Sequence, residues 1–463
     1  MSSETSSSRG SIALSVCMIV KNEAELLGRC LASVSAAADQ IIVVDTGSTD
    51  ATCDVARKFG AQVYESPWRD DFSFSRNVSL DHATGKWILW LDADDVVPEA
   101  SIARLVELRG READRVYGFI VRNERPGNTG SEFTQARMFP NRPELRFERR
   151  IHEQIMPSAL RAGLSLELCD VVIEHHGYAD PDQLRLKARR NVRLLLEEYP
   201  EVAPDAVMAA EIADSWQLLE NMDESAKWYR TLLSIPECEQ SAPVLAGHAY
   251  YGLGTIANHK GDYTGAIDLF EHAFGLSPWR SDILFGLAVA QELANRPEAA
   301  LESLARIPSL RPQAGQVGVD FRSAAIKSYL RRLRLLIELD RPDDACRVAQ
   351  EAVSSVGFRP EIHIMAAKVY LKLGRLMDAL HGFENSLHIR REGNLDAYIG
   401  LCLVYRAANR AEVLKVTLDA IRPVFGEDPR FIAAESLLLV SEECPVGDPE
   451  QIKKLRNEFF EVF

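Results

Sequence analysis

A run of five apolar residues, from Trp87 to Leu91, leads directly into three aspartates. A continuous apolar run without polar alternation is typical of a strand that is buried on both faces. Asp92, Asp94 and Asp95 then follow where the strand ends, at the edge where ligands of open α/β sheets bind. Two carboxylates at positions i and i+2 suit a divalent cation and, through it, a diphosphate. The alternative is an acidic turn, because Asp also favours turns and helix N-caps.

The chain before this run alternates between strand-like and helix-like segments. Short, β-prone apolar runs alternate with segments of helical spacing, in the order 12–20, 24–38, 41–44, 51–59, 62–64 and 71–84. This alternation at close spacing predicts a mostly parallel sheet with helices on both faces. Further runs at 117–122 and 135–139 predict strands that make the later part of the sheet mixed.

Polar side chains follow the predicted strands. The first strand is followed by Lys21, Asn22 and Glu23, the second by Asp45, and the run described above by Asp92 and Asp94. Because the carboxyl ends of parallel strands share one edge, we expect these groups to converge on one ligand. The sequence contains no GxGxxG after the first strand and no GxxxxGK[ST], which counts against a dinucleotide-dependent oxidoreductase and a P-loop enzyme.

Two further polar clusters lie in the second half of this region. His152 and Glu153 follow a run of arginines, and His175 and His176 end an apolar strand. Arg76 could offer a guanidinium to phosphate, although an isolated arginine is more often a surface residue. A single histidine on a strand is usually structural, but two titratable clusters that each follow a candidate strand favour a functional site.

Four segments occur in the order SVCMIVKNEAELLGRCLAS, IIVVDTGSTD, DDFSFSRNVSL and WILWLDADD. Together they resemble glycosyltransferase family 2, whose members have the GT-A fold of nucleotide-diphospho-sugar transferases. The resemblance covers about residues 12–180. It implies that the donor nucleotide is held by Lys21, Asn22, Glu23 and Asp45, that Arg76 faces the sugar diphosphate, and that Asp92 and Asp94 contact the ribose and a divalent metal.

The RIHE segment and the H-x-G-Y ending resemble the sublancin-type and flagellin-modifying members of this family. The resemblance implies His175 as a further ligand of Mn²⁺ or Mg²⁺, and Glu153, or else His152, as the general base. The ED pair and the QxxRW motif that many family members carry in this region are absent from it, which counts against a processive polysaccharide synthase. The implied mechanism is a single displacement that inverts the anomeric configuration.

From Asp182 onward, long amphipathic runs replace the strand signals. Residues 250–278 match the tetratricopeptide pattern, and turn residues recur at Asn221, Gly261, Asn295, Asp340, Gly374 and Asn409. An alanine follows most of these turns after five residues, at Ala226, Ala266, Ala300, Ala345 and Ala379. This periodicity predicts an all-α solenoid of about five or six repeats, an architecture that commonly holds peptides or partner proteins.

The predicted organisation is therefore an α/β GT-A domain followed by a tetratricopeptide solenoid. We expect a disordered N-terminus (1–11), the glycosyltransferase domain (12–180), a linking helix (181–205), the repeats (206–440) and a C-terminal helix or cap (441–463). The last segment is also a candidate contact of a homodimer.

The composition of the chain counts against some classes of binding partner and some cellular locations. A net charge of −15, from 53 Lys and Arg against 68 Asp and Glu, counts against non-specific binding of nucleic acid. The eight cysteines show no CxxC pair, which favours reduced thiols. No apolar stretch approaches the ~18 residues of a membrane span, so we expect a soluble, cytoplasmic protein.

Three functions remain open at this stage. The first is transfer of a sugar from a nucleotide-diphospho-sugar, expected to be UDP-linked, to a protein or peptide such as flagellin that the repeats hold. The second is transfer to a lipid-linked or saccharide acceptor, with the repeats used for oligomerisation. The third is an interaction scaffold with a degenerate catalytic domain. The presence of Asp45, Asp92, Asp94 and His175 together counts against this third function.

Overall fold

The computed structural model describes residues 12–123, 132–177, 181–199, 205–311 and 319–439. The chain divides into two compact units, Met1–Gly286 with Arg311–Phe321 and Leu287–Leu310 with Arg322–Phe463. The predicted disordered N-terminus and the predicted C-terminal helix lie outside the described residues. The described part of the chain contains no helix that combines the length and the apolar character needed to cross a membrane.

The first unit begins with an eight-stranded sheet. Its strands are β1 (Leu14–Val20), β2 (Gln40–Asp45), β3 (Gln62–Glu65), β4 (Trp87–Trp90), β5 (Asp95–Val96), β6 (Val116–Asn123), β7 (Glu132–Pro140) and β8 (Leu166–His175), arranged in the order β3-β2-β1-β4-β7-β6-β8-β5. The first four strands in this order are parallel, whereas β7 runs antiparallel to both β4 and β6. The predicted parallel half and the mixed later half of the sheet are both confirmed.

Strand β4 lies inside this sheet, between β1 and β7, and all four of its residues are buried. Trp87 and Leu89 belong to one hydrophobic cluster, while Ile88 and Trp90 belong to a second one. Successive side chains of a strand point to opposite faces, so the two clusters occupy the two sides of the sheet. The prediction of a strand buried on both faces is confirmed.

Five helices pack with the sheet: α1 (Leu27–Val34), α2 (Thr52–Lys58), α3 (Phe72–Asp81), α4 (Glu99–Arg109) and α5 (Met156–Arg161). The three predicted helices are all shorter than predicted, α2 by one residue at each end and α1 and α3 by more. Helix α1 begins at Leu27 because Glu23 opens a turn, its carbonyl accepting hydrogen bonds from the amides of Leu26 and Leu27. Helix α3 ends before Thr84, whose amide and hydroxyl both donate to Oε1 of Gln40 in β2.

Helices follow the sheet within the first unit: α6 (Pro181–Glu198), α7 (Ala206–Leu218), α8 (Met222–Leu233), α9 (Cys238–Ser241), α10 (Pro243–His259) and α11 (Tyr263–Leu276). One hydrophobic cluster joins Ile151 of the α/β part to Val192 and Leu195 of α6 and to Met208 and Ile212 of α7. The domain boundary predicted at residue 180 stays a prediction, but α6 shares a core with the α/β part and is more than a spacer.

Helix α12 (Ser281–Leu293) contains the point where the two units divide. The second unit continues with α13 (Pro297–Arg306), α14 (Phe321–Glu338), α15 (Pro342–Val356), α16 (Pro360–Lys372), α17 (Leu376–Ile389), α18 (Leu395–Ala407), α19 (Ala411–Phe425) and α20 (Pro429–Leu439). Phe321, the first residue of α14, belongs to the first unit, and the rest of this helix belongs to the second unit. The helices pair in succession, as a repeat array requires.

The periodic residues of the helical part lie where the pattern predicts. The left-handed backbone conformation, with positive φ, occurs at Gly261, Asn295, Asp340, Gly374 and Asn409. The first turn differs by one residue: Glu220 has the positive φ, and Asn221 caps α8 by accepting a hydrogen bond from the amide of Glu224. The alanines that follow the turns, Ala226, Ala266, Ala300, Ala345 and Ala379, are all buried, which permits close helix packing.

Candidate active site

A cavity of about 1060 Å³ lies in the first unit, where β1 and β4 end. Nine of the ten site residues predicted from the sequence line it: Lys21, Asn22, Glu23, Arg76, Asp92, Asp94, His152, Glu153 and His175. The tenth, Asp45, does not. The expected convergence of groups that are distant in sequence is therefore found, while the role of each residue stays a prediction.

The buried carboxylate of Asp45 organises the loop that follows β2. It accepts hydrogen bonds from the backbone amides of Gly47 and Ser48. The neighbouring loop after β1 is tied to the same segment, because Asn22 donates its amide to Ser48 Oγ and accepts from the amide of Thr49. Asp45 thus stabilises the loop at the edge of the cavity without lining the cavity itself. The next residue, Thr46, lines it.

A compact acidic cluster forms at the end of β4. Ligand atoms of Asp92, Asp94, Asp95 and His175 all lie within 4.8 Å of one another. Burial raises the pKa of Asp94, and the charge of His175 opposes this rise. Burial also acts to raise the pKa of Asp92, but the charges of Arg76 and Arg137 outweigh burial and lower it to about 2. Three carboxylates and one imidazole make a donor set that suits Mn²⁺ or Mg²⁺.

Asp95, whose role the sequence leaves open, lies fully buried at the centre of this cluster. Its Oδ1 is 2.9 Å from Nδ1 of His175, and its Oδ2 accepts from Nη1 of Arg137 at 2.9 Å and from the amide of Asp92 at 2.8 Å. A carboxylate at Nδ1 orients the imidazole and leaves Nε2 without this contact. Asp95 therefore acts as the residue that positions His175.

Gly177 lies beside the other ring nitrogen of His175. A Cβ added at Gly177 would be 2.8 Å from Nε2 of His175 and 3.8 Å from Oδ2 of Asp94. Because a contact shorter than 3.0 Å forces a displacement, only glycine leaves this side of the imidazole in place.

Arg76 of α3 connects the acidic cluster with the predicted general base. Its Nη2 donates to Oδ1 of Asp92 at 2.8 Å, and its Nε donates to Oε1 of Glu153 at 2.5 Å. The guanidinium is buried and lies 4.1 Å above the ring of Trp90. Burial opposes its charge, but the two carboxylates raise the pKa of Arg76 above its ordinary value. The phosphate contact that the sequence predicts for Arg76 stays a prediction.

The structure also shows residues that sequence reasoning missed. Arg137 of β7 is a buried arginine that pairs with Asp95 and lies 3.8 Å above Trp90. A charged residue inside the predicted strand 135–139 was the one available signal. Lys187 and Arg190 line the cavity from α6, which was predicted only as a linking helix.

His152 and Glu153 lie on a loop of unusual backbone conformation. Arg149 and His152 have φ values of 77° and 52°, in the left-handed region that residues other than glycine seldom adopt. The loop closes on itself through paired backbone hydrogen bonds between Glu148 and Gln154. Non-glycine residues in this region persist only where surrounding contacts hold them.

Helix α7 supplies one of these contacts through Glu211. Its Oε2 accepts from Nη2 of Arg149 at 2.8 Å, and its Oε1 lies 3.7 Å from Nδ1 of His152. Burial raises the pKa of Glu211 to about 7 in spite of Arg149. Burial, together with the charge of Arg149, lowers the pKa of His152 and so favours its neutral form.

Comparison with known families agrees with this architecture. The sequence model described as "Glycosyl transferase family 2" matches residues 15–164, which include β1 to β7 and most of the site. Residues 15–164 form a glycosyltransferase family 2 domain. A tetratricopeptide repeat model matches residues 257–317. The fused architecture predicted from the sequence is confirmed.

Curated relatives share this combination in part. A TPR repeat-containing protein of Synechococcus elongatus is 32% identical over 273 residues, or 56% of this chain and 65% of that protein. The SPbeta prophage-derived glycosyltransferase SunS of Bacillus subtilis is 31% identical over 199 residues, or 41% of this chain and 45% of that protein. The chain thus matches less than two thirds of the length of either relative. An uncharacterized glycosyltransferase of Rickettsia bellii is 39% identical over 85 residues.

Proposed function

We propose that the chain is a metal-dependent, inverting glycosyltransferase that modifies a protein or peptide. Its donor would be a nucleotide-diphospho-sugar, expected to be UDP-linked, and its acceptor a side chain of a protein such as flagellin. The observation that carries this proposal is the contact of Arg76 with both Asp92 and Glu153 in one cavity. Asp92, the acid proposed to contact the donor, and Glu153, the candidate base, both bind to this one buried guanidinium.

In this proposal the donor occupies the cavity edge formed by the loops after β1, β2 and β4. Lys21, Asn22 and Glu23 would contact the nucleotide, with Asp45 supporting this edge, and Asp92 would contact the ribose. Mn²⁺ or Mg²⁺ would be held by Asp94 and His175, whose orientation Asp95 maintains. A divalent cation at this place offsets negative charge on a departing nucleoside diphosphate.

Glu153 is the proposed general base. Its Oε1 is engaged with Arg76, whereas its Oε2 has no hydrogen bond with any described residue, and Glu153 is one of the residues that line the cavity. The free oxygen would take the proton of an acceptor hydroxyl or thiol as that atom attacks the anomeric carbon. The new bond forms to the anomeric carbon while its bond to the diphosphate oxygen breaks, so one displacement inverts the configuration. His152 is the alternative base, since its neutral form can also accept a proton.

The helical repeats are the proposed binding surface for the acceptor. Tetratricopeptide arrays present extended surfaces that hold peptides or partner proteins. The cavity supports this assignment because α6, the helix that precedes the repeats, forms part of its lining. An acceptor bound along the helices of the first unit would therefore lie next to Glu153.

Intact-protein mass spectrometry tests the proposal. The purified chain is incubated with Mn²⁺, a panel of UDP- and GDP-sugars, and either purified flagellin or a cell lysate. We expect one donor to add the mass of a hexose or an N-acetylhexosamine to a protein, with an anomeric configuration opposite to that of the donor. Asp94→Asn should abolish this transfer, while Asp54→Asn, an equal charge change at an exposed position of α2, should not. Donor consumption without any protein adduct would contradict a protein acceptor.

A further inference from the structure

One face of α6 lines the cavity, although this helix lies outside the residues matched by the family model. Lys187, Arg190 and Asn191 lie on this face. Residues three and four apart on a helix are neighbours on its surface, about one turn of 5.4 Å along the axis. Two cationic side chains thus enter the same cavity from a helix that the family match does not include.

Arg190 is a half-buried arginine that forms no ion pair with any residue the structure describes. Its Nε and Nη2 donate to Oδ1 of the neighbouring Asn191, and its guanidinium lies 4.9 Å from the ring centre of Phe72. Within the part of the chain that the structure describes, no carboxylate lies within 4.0 Å of its guanidinium nitrogens; Glu153 and Asp70 act on it from farther away. Burial lowers the pKa of Arg190, which means that the charged form lacks compensation.

The other arginine of the cavity differs in this respect. Arg76 is more deeply buried, yet two carboxylates at hydrogen-bond distance offset its charge. A buried charge without a partner is costly, and native structures keep such charges where they bind something. Arg190 therefore points to an anion that enters the cavity as a ligand.

The position of Lys187 indicates which part of the ligand carries that anion. Lys187 lines the same cavity as Asp94 and His175 of the acidic cluster. Arg190 follows about one helical turn later on the same face, so both cations lie on the wall of the cavity that also contains the acidic cluster.

We propose that Arg190, together with Lys187, binds the diphosphate of the nucleotide-sugar donor, so that helix α6 completes the donor site of the glycosyltransferase domain. This inference rests on the proposed function, because it takes the cavity as a donor site. A planar guanidinium donates two parallel hydrogen bonds to a phosphate group, and a lysine adds a point charge. The donor diphosphate would supply the negatively charged partner for Arg190.

Arg190→Gln removes the charge, and Arg189→Gln is its matched control. Arg189 is the preceding residue of the same helix and is exposed, so its replacement changes the net charge equally without reaching the cavity. The dissociation constants of UDP and GDP, and of uridine and guanosine, are measured for the full chain in the presence of Mn²⁺. For the nucleotide that wild type binds, we expect Arg190→Gln to weaken diphosphate binding about 10- to 100-fold and leave nucleoside binding unchanged.

Each outcome separates this inference from the proposed function. If wild type binds neither UDP nor GDP, the proposed function and this inference fall together. If wild type binds one of them and Arg190→Gln binds it equally well, Arg190 is not a diphosphate ligand while the proposed function stands. Unchanged donor affinity with a raised KM for the acceptor would likewise overturn the inference by placing Arg190 on the acceptor side.

A second variant covers a failure of Arg190→Gln to fold. Arg190→Lys keeps a positive charge at this position but cannot form two parallel hydrogen bonds. We expect its melting temperature without ligand to equal that of wild type and its affinity for the diphosphate to be several-fold lower. An affinity equal to that of wild type in this variant would overturn the inference.

Discussion

The carboxylate of Glu211 makes stability depend on pH in a direction opposite to that expected of a salt bridge. Its side chain is 18% exposed and its pKa is raised from 4.5 to about 7 by burial, although Arg149 is only 2.8 Å away. The folded state therefore binds a proton that the unfolded state releases between pH 4.5 and 7. The rise of the pKa from 4.5 to about 7 corresponds to roughly 3–4 kcal/mol, at ~1.4 kcal/mol for a tenfold change in proton affinity.

The perturbation is Glu211→Gln, which preserves the shape of the side chain and cannot ionise. At pH 4.5 and below, the protonated glutamate and the glutamine should give similar stabilities. As the pH rises from 4.5 through 7, wild type should lose about 3–4 kcal/mol that the variant keeps, because ionising a buried carboxylate costs more than its pairing with Arg149 returns. Above pH 8 the variant should be the more stable protein.

Urea unfolding followed by tryptophan fluorescence measures this difference. All six tryptophans of the chain lie in the first unit, so their emission reports on the unit that contains Glu211. Trp216 and Trp228 pack in the same hydrophobic cluster as α7. Glu271→Gln, at an exposed carboxylate on α11, controls for the loss of one charge. A constant difference between wild type and Glu211→Gln from pH 5 to 8 would refute the burial argument.

Three further changes test the site. Glu153→Gln should lower transfer by about 10²- to 10⁴-fold, as expected for loss of a general base, without changing the affinity for the donor nucleotide in calorimetry; a parallel loss of affinity would count against a role as base. Gly177→Ala should displace His175 and lower the affinity for Mn²⁺ about 10- to 100-fold, as measured by titrating the melting temperature with Mn²⁺. An unchanged affinity would show that His175 is not a metal ligand. Arg137→Met should cost about 3–5 kcal/mol in urea unfolding, because it leaves Asp95 buried without its cation; a loss below 1 kcal/mol would contradict that pairing.

Local patterns in the sequence were sufficient to predict the sheet and the repeats. The apolar run of β4 predicted burial on both faces because a central strand has no solvent-facing side. The turn residues of the repeats were predictable because the left-handed conformation selects Gly, Asn and Asp. The exception was Glu220, which has the positive φ while Asn221 next to it caps the helix. Both residues satisfy the same turn, and the pattern alone does not decide between them.

The partners of the site residues were not predictable, since they depend on contacts between distant segments. Asp95 is separated by 42 residues from Arg137 and by 80 residues from His175, and no local pattern connects them. For the same reason the polar face of α6 resembled an ordinary solvated helix in the sequence. Arg190 can be recognised as a candidate ligand-binding residue only from the fold, which places it beside Phe72 and the cavity.

The loop that carries Glu153 is held by α3, whose Ser73 and Arg76 bond to Arg149 and Glu153, and also by helices outside the family match. Its backbone amide at Arg150 donates to the carboxylate of Glu198 at the end of α6, and its Arg149 pairs with Glu211 of α7. Ile151 packs in the hydrophobic cluster that these two helices form. A helical region that served only as a tether would leave this loop to the α/β part alone. Because α6 and α7 add contacts to Arg149 and Arg150, the geometry of the proposed base depends in part on the first helices that precede and begin the repeats.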